Sequence, residues 1–234
     1  MSPTDARAAA GVLPAAIVWD LDGTLAESAP DLATALNALL EENGRAGHEL
    51  AAVRNMIGGG VPKLIDRGFR ASGAPLEDAA RDALVPRFME IYSACATANT
   101  HLMPHALTAL EFFRNAGVRQ GLCTNKPIAV TRQIVAALGI TCFFGSIIGG
   151  DSTPRRKPNP LPLQTCLAEL GVSPEDAVMV GDSGADVGAA RSAGVPIILV
   201  PDGYISVPAR SLGADHVVKH LGDVAKAVST LTAA

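Results

Sequence analysis

The amino-acid sequence predicts an α/β fold: a parallel sheet of about five or six strands, wrapped by helices on both faces, with an all-helical insert after the first strand. Three observations predict it. A short apolar run, Ala15-Ala16-Ile17-Val18-Trp19, stops on two carboxylates one residue apart, Asp20 and Asp22. Such a run reads as a buried parallel strand, and its carboxyl end opens on the crevice where α/β sheets bind ligands. Residues 29–98 then keep helical spacing without a convincing strand, whereas from Pro104 onward helix and strand patterns alternate. The boundaries that follow are a core of residues 1–28 and 99–234 and an insert of residues 29–98, joined by two chain crossings that make a natural hinge. A chain of 234 residues is long enough for a sizeable core, as one large domain or two small ones.

Taken in order, Met1 to Pro14 has no continuous apolar core and reads as a short frayed tail, not as a signal peptide. Gly23 permits a tight turn after the paired acids. Ser28 stands as the N-cap of the first helix, with Pro30 early and Asp31 in the first turn. Leu32, Ala35, Leu36, Leu39 and Leu40 carry its apolar face until Asn43-Gly44 ends it. A second helix over residues 49–57 presents Leu50, Val53 and Ile57, and Gly58-Gly59-Gly60 breaks it. A third starts at Val61, and a fourth covers residues 76–96 with Leu84, Phe88, Ile91 and Tyr92 on one side. Pro86 should kink or split that last helix. Beyond Pro104, helices are expected over residues 106–116, 129–138, 160–170, 185–193 and 221–231. Strands are expected over 118–123, 143–148, 177–180 and 196–200, with a short edge strand at Val217-Val218.

Composition narrows the function. The chain is 48% hydrophobic and 18% charged, an ordinary globular balance, and its net charge of −4 argues against a general nucleic-acid binder. No apolar run approaches the roughly 20 residues that a membrane span needs. Cys95, Cys123, Cys142 and Cys166 form no Cys-x-x-Cys pair and read as reduced thiols of a cytoplasmic protein. The His101/His105 and His216/His220 pairs lack the acid and the uninterrupted helix that a zinc hydrolase motif requires.

The other strand ends also carry polar groups. One finishes in Cys123-Thr124-Asn125-Lys126-Pro127, where a hydroxyl and backbone N–H groups at a helix start suit an anion. Another leads to Arg155-Arg156-Lys157-Pro158-Asn159-Pro160, whose prolines would stiffen a loop that aims Lys157 inward. A third ends in Gly181-Asp182-Ser183-Gly184-Ala185-Asp186. Each alone has an ordinary explanation: a capping threonine, a solvated lysine, a loop acid. One mechanism accounts for all of them together, phosphoryl transfer, in which positioning and charge neutralisation do most of the catalysis. Asp20 would attack phosphorus and Asp22 would handle the leaving-group proton. Thr124, Asn125 and Lys157 would hold the phosphate. Mg²⁺, which prefers hard oxygen ligands, is assigned to Asp20, the backbone carbonyl of Asp22, and Asp182, with Asp186 and Thr24 supporting those ligands from behind.

At these residues the chain resembles the haloacid dehalogenase superfamily of aspartate-nucleophile phosphatases. The four motifs are Asp20-Leu21-Asp22-Gly23-Thr24, Thr124, Lys157, and Gly181-Asp182 with Asp186, and their spacing covers nearly the whole chain. The resemblance implies a Rossmann-like core, a Mg²⁺ requirement, and a mobile cap made by the helical insert. The acid two residues beyond the nucleophile is similar to the phosphatase form, which dehalogenases lack. Ser28-Ala29-Pro30-Asp31-Leu32, the run Lys157 to Leu163, and Gly203-Tyr204 resemble the phosphoglycolate phosphatase branch, implying 2-phosphoglycolate as substrate. Trp19 stands where that family usually has Phe, and Ala26-Glu27 replaces a commoner Val-Asp. Selectivity is expected from the cap, with Arg54, Gly59 and Lys63 as the reading surface for a small carboxylate. Tyr92 and Lys126 are further candidates for that surface, after Arg54, Gly59 and Lys63, and read rather as packing and surface respectively. The alternatives on the same scaffold are a sugar-phosphate phosphatase, a phosphoglucomutase-like phosphotransferase and a pyrophosphatase. A non-catalytic phosphate sensor would be expected to have lost Asp20 or Asp22. The partner implied is a small phosphorylated metabolite, with no nucleic acid and no membrane, acting on a monomer or homodimer.

Overall fold

The first strand is apolar throughout because it is covered on both sides. In the computed structural model, which describes residues 13–201, 203–204 and 209–231, β1 (Ala16–Trp19) is buried at every position. Successive side chains of a strand point to opposite faces. Ala16 and Val18 accordingly enter an apolar cluster with Leu163, Cys166 and Val187, while Ile17 and Trp19 enter another with Leu110, Phe113 and Val228. Trp19 meets its polar need by donating its indole N–H to Oε1 of the buried Gln120 at 3.0 Å.

Around β1 the described residues form a six-stranded parallel sheet in the order β5-β4-β1-β6-β7-β8. The strands are β4 (Arg119–Cys123), β5 (Ser146–Ile148), β6 (Ala177–Gly181), β7 (Ile197–Leu199) and β8 (His216–Val217). The helices between them are α5 (Ala106–Asn115), α6 (Ile128–Ala137), α7 (Leu161–Leu170), α8 (Gly184–Ala193) and α9 (Val224–Leu231). The alternation expected beyond Pro104 is therefore present, with one shortening: Thr141–Phe143 is a 3-10 turn, and the strand begins at Ser146. No helix among the described residues is long and apolar enough to cross a membrane. The tail expected over residues 1–14 falls mostly outside the described residues.

The insert holds α1 (Ala29–Glu42), α2 (Leu50–Arg54), α3 (Val61–Ala71) and α4 (Asp78–Cys95). Its buried Leu36, Leu39, Ile65, Phe69 and Phe88 belong to the same apolar cluster as Trp19 and Phe113, so the hydrophobic interior runs unbroken from insert to sheet. Two local expectations need correction. The second helix is one short turn, with Leu50 exposed, because Asn55 caps it before Ile57 is reached. Helix α4 continues through Pro86 in one piece. Pro86 faces solvent, where water can take the carbonyl that the missing N–H leaves unbonded. The two chain crossings also pair with each other. Ala26–Glu27 (β2) pairs antiparallel with His101–Leu102 (β3).

Asp31 reinforces that crossing. Its fully buried carboxylate accepts from the N–H groups of Asn99 (3.0 Å) and Thr100 (2.8 Å), from the Thr100 hydroxyl (2.8 Å) and from the Asn99 amide (2.9 Å). Burial alone would raise its pKa, but these donors together hold it below the usual carboxylate range. Ser28 does occupy the N-cap position of α1, yet its side chain makes no cap bond and turns instead to Asp22.

Candidate active site

Parallel register sets the strand tips level. Trp19 pairs with Leu122 on one side and Val180 on the other, so Asp20, Thr124 and Asp182 emerge at one edge of the sheet. Asp20 and Thr124 are still tied to the ladder through their own N–H groups, on the carbonyls of Val180 (2.9 Å) and Ile148 (3.0 Å). Both side chains are thus held by backbone and do not depend on a flexible loop.

Lys157 organises the acids. Its buried ammonium lies 2.9 Å from Asp20 Oδ1 and 2.6 Å from Asp186 Oδ1, and donates to the Cys123 carbonyl at 2.7 Å. Asp20 Oδ1 also accepts the Leu21 N–H at 2.7 Å, so every hydrogen bond of this carboxylate among the described residues falls on one oxygen. Asp186 uses its other oxygen in a capping box at the start of α8, accepting from the Ser183 N–H (3.0 Å) and hydroxyl (2.6 Å). Asp182 accepts the Tyr204 N–H at 2.7 Å and lies 3.4 Å from the Thr24 hydroxyl. A side chain at Gly23 or Gly203 would collide with the Asp182 carboxylate, and Gly23 has a φ of 81°. Glycine is required there twice over, by space and by backbone.

The balance of charge is negative. Oxygens of Asp20, Asp182 and Asp186 lie within 4.8 Å of one another, and Lys157 is the ammonium that serves them. Burial, with the Asp186 charge behind it and Lys157 opposing, pushes the Asp20 pKa up to about 7. Burial and then the Asp186 and Asp20 charges push Asp182 well above the usual carboxylate range. A dry cluster of hard oxygen donors that resists ionisation is what a divalent cation would relieve.

Asp22 faces away from this cluster. Its oxygens accept from Lys126 Nζ at 2.7 and 2.8 Å, and one of them also accepts the Ser28 hydroxyl. Lys126 is 4% exposed and sits 5.0 Å from the centre of the Tyr92 ring, which corrects the expectation of a surface lysine. Burial alone would lower its pKa, but Asp22 and Tyr92 keep it raised. Sequence reasoning named Lys126 as a candidate but placed it on the surface, and the signal for burial was its place directly after Thr124-Asn125 on a strand tip. Asn125 also differs from expectation. Its amide donates to the carbonyls of Lys157 (3.0 Å) and Gly58 (3.3 Å), which leaves that side chain no N–H for a phosphate.

The crevice beside Asp20 is walled by Asp22, Thr124, Lys126, Tyr92, Leu32 and the 57–64 stretch of the insert. The three residues expected to read the substrate are not gathered there. Arg54 is taken up by Glu27 in an ion pair of 2.8 Å, while Gly59 and Lys63 line a neighbouring crevice together with Lys157 and Tyr204. Glu27 also accepts the Tyr204 hydroxyl at 2.8 Å, and that hydroxyl accepts the N–H groups of Ser28 and Ala29. Glu27, which departs from the family pattern, and Tyr204 of the Gly203-Tyr204 motif thus meet each other at the start of α1.

The haloacid dehalogenase-like hydrolase family model matches residues 14–194, and the chain belongs to that family. It is similar to the phosphoglycolate phosphatase of Rhodospirillum rubrum, at 40% identity over 86% of either chain. The phosphoglycolate phosphatase of Caulobacter vibrioides is 39% identical over 93% of this chain and 92% of that one. Among solved structures, a predicted phosphoglycolate phosphatase from Haemophilus somnus superposes with a TM-score of 0.83 at 29% identity, covering 91% of this chain and 97% of the other.

Proposed function

We propose that this chain is a cytoplasmic, Mg²⁺-dependent phosphoric monoester hydrolase that cleaves 2-phosphoglycolate through an aspartyl phosphate. The observation that carries the reading is the single edge at which Asp20, Thr124, Lys157 and Asp182 meet, with Lys157 fixed 2.9 Å from Asp20. The substrate is drawn from the relatives that share the name phosphoglycolate phosphatase. Four free cysteines suit a reducing compartment.

Asp20 attacks phosphorus in line with the oxygen that carries no hydrogen bond, while Lys157 and the Leu21 N–H hold the other. The bond from phosphorus to the ester oxygen breaks, and Asp22 gives that oxygen its proton. Asp22 then takes a proton from the water that opens the aspartyl phosphate, and inorganic phosphate leaves. Thr124 and Lys157 hold the phosphate oxygens, and Asn125 fixes the loop behind them. The donor set fits a divalent cation: Asp20, Asp182 and the Asp22 carbonyl would hold it, with Asp186 and Thr24 keeping those ligands in place. When bound, the ion neutralises charge between nucleophile and phosphate. Residues 29–98 form the lid that excludes water and meets the leaving group. A monomer or a homodimer suits this chemistry.

The test is a phosphate-release screen over small phosphate esters in the presence of Mg²⁺. The expected result is the highest kcat/KM with 2-phosphoglycolate. Preference for a sugar phosphate or pyrophosphate, or turnover that needs a bisphosphate primer and frees no phosphate, would reassign the chain to an alternative on the same scaffold.

A further inference from the structure

The crevice beside Asp20 has one cationic side chain among the residues on its wall, and it is Lys126. Everything else opposite the phosphate end is apolar or glycine: Leu32, Ile57, Val61, Leu64 and the ring of Tyr92. The Tyr92 hydroxyl is fully buried, and the polar neighbour it engages among the described residues is the Lys126 ammonium, which only donates, so the phenol O–H has no acceptor. Buried hydroxyls are nearly always satisfied, so an O–H without an acceptor on the wall of a cavity points to a group that enters. Lys126 lies beside it, 5.0 Å from the ring centre. In this conformation Lys126 spends its charge on Asp22, bonding both carboxylate oxygens at 2.7 and 2.8 Å. With both oxygens on that ammonium, the Asp22 carboxylate is occupied by Lys126 and not aimed at a leaving group.

Resting on the substrate reading above, we infer that Lys126 and the Tyr92 hydroxyl form the subsite for the carboxylate of the leaving group, and that Lys126 reaches it by releasing Asp22. A phosphate ester of a short hydroxy acid brings its own second anion into the crevice. That anion competes with Asp22 for the ammonium and offers the acceptor that the Tyr92 O–H lacks. Asp22 is then free to turn toward the ester oxygen. An ester without the carboxylate leaves Lys126 on Asp22 and the proton-transfer group engaged. Selection by charge and readiness for proton transfer are therefore one exchange of partners, which places the discrimination in kcat as well as KM.

The experiment compares 2-phosphoglycolate with ethyl phosphate, which has the same chain length and lacks the carboxylate, on the full chain with Mg²⁺. For Lys126→Met the expected loss in kcat/KM is about a hundredfold with phosphoglycolate, the scale for truncating one partner of a buried charge pair. With ethyl phosphate the loss should be at least about tenfold smaller, because that ester makes no use of the ammonium. Tyr92→Phe removes one oxygen and no volume, so folding is not at issue. It should raise KM for phosphoglycolate by about fivefold and leave ethyl phosphate unmoved. Equal losses on both esters, or none on either, would overturn the inference and leave Lys126 as a support for Asp22. If the unaltered enzyme showed no preference for phosphoglycolate, the substrate reading itself would fail. A preference that survives Lys126→Met would sink the subsite alone.

Discussion

The sheet edge and the roof above it are built on opposite rules. At the edge, acids are buried beside Lys157 and fixed by backbone: Asp20 by the Leu21 N–H, Asp182 by the Tyr204 N–H, Asp186 by Ser183. On the roof, the insert contributes Ile57, Val61 and Leu64 with two glycines of positive φ, Gly58 and Gly60, and the cation expected to read the substrate, Arg54, is already paired with Glu27. The contrast teaches that the edge is preorganised for one reaction, whereas the roof supplies shape and dryness and leaves ionic recognition to Lys126 from the core side.

Asp20→Asn would break the edge most severely. Turnover should fall by at least about 10⁴-fold while the melting temperature moves little, since the amide keeps the shape and loses only the nucleophile. Near-normal phosphate release would remove Asp20 from its role. Chelation comes next. Stripping divalent ions should abolish turnover, and restoring Mg²⁺ should return it and raise the melting temperature, because a ligand of the folded state alone stabilises it. A melting temperature indifferent to Mg²⁺ would count against a cation among Asp20, Asp182 and Asp186.

A stability effect is expected where roof and edge join. Asp31→Ala strands the buried donors of Asn99 and Thr100 and should cost roughly 2–4 kcal/mol, measured by denaturant unfolding. Because its folded pKa is depressed, the contribution of Asp31 is complete above the unfolded value of about 4 and is lost as pH falls through the lower folded value. The gap between wild type and variant should therefore close below about pH 4, and a gap that widens in acid would contradict the assignment. The smallest effect falls on the roof: Arg54→Ala should alter kcat/KM by less than about fivefold, the scale of a partly exposed ion pair. A large rise in KM would return Arg54 to the reading surface.

How much of this was legible follows from what sets each feature. The strand tips were readable because apolar runs of strand length end on carboxylates, and parallel register does the rest. The ribbon of β2 and β3 was not, since two residues per strand carry no period. Asp31 looked like a first-turn acid, and only the distant return of the chain gives it Asn99 and Thr100. Lys126 has the sequence appearance of any loop lysine. Its burial is decided by Asp22 and Tyr92, over a hundred and some thirty residues away respectively, which no local pattern records. Arg54, Gly59 and Lys63 stood close in sequence, yet Arg54 turns to Glu27 while Gly59 and Lys63 line the neighbouring crevice together.

The Asp31 latch bears on how far such a protein can diverge. It joins positions 68 apart, so the intervening helices leave and return at one point. Closing a longer loop costs only about 0.6 kcal/mol for each doubling of its length. The latch therefore tolerates a longer or shorter insert at little entropic cost, while the apolar interior shared with the sheet dictates which helix faces above it must stay hydrophobic.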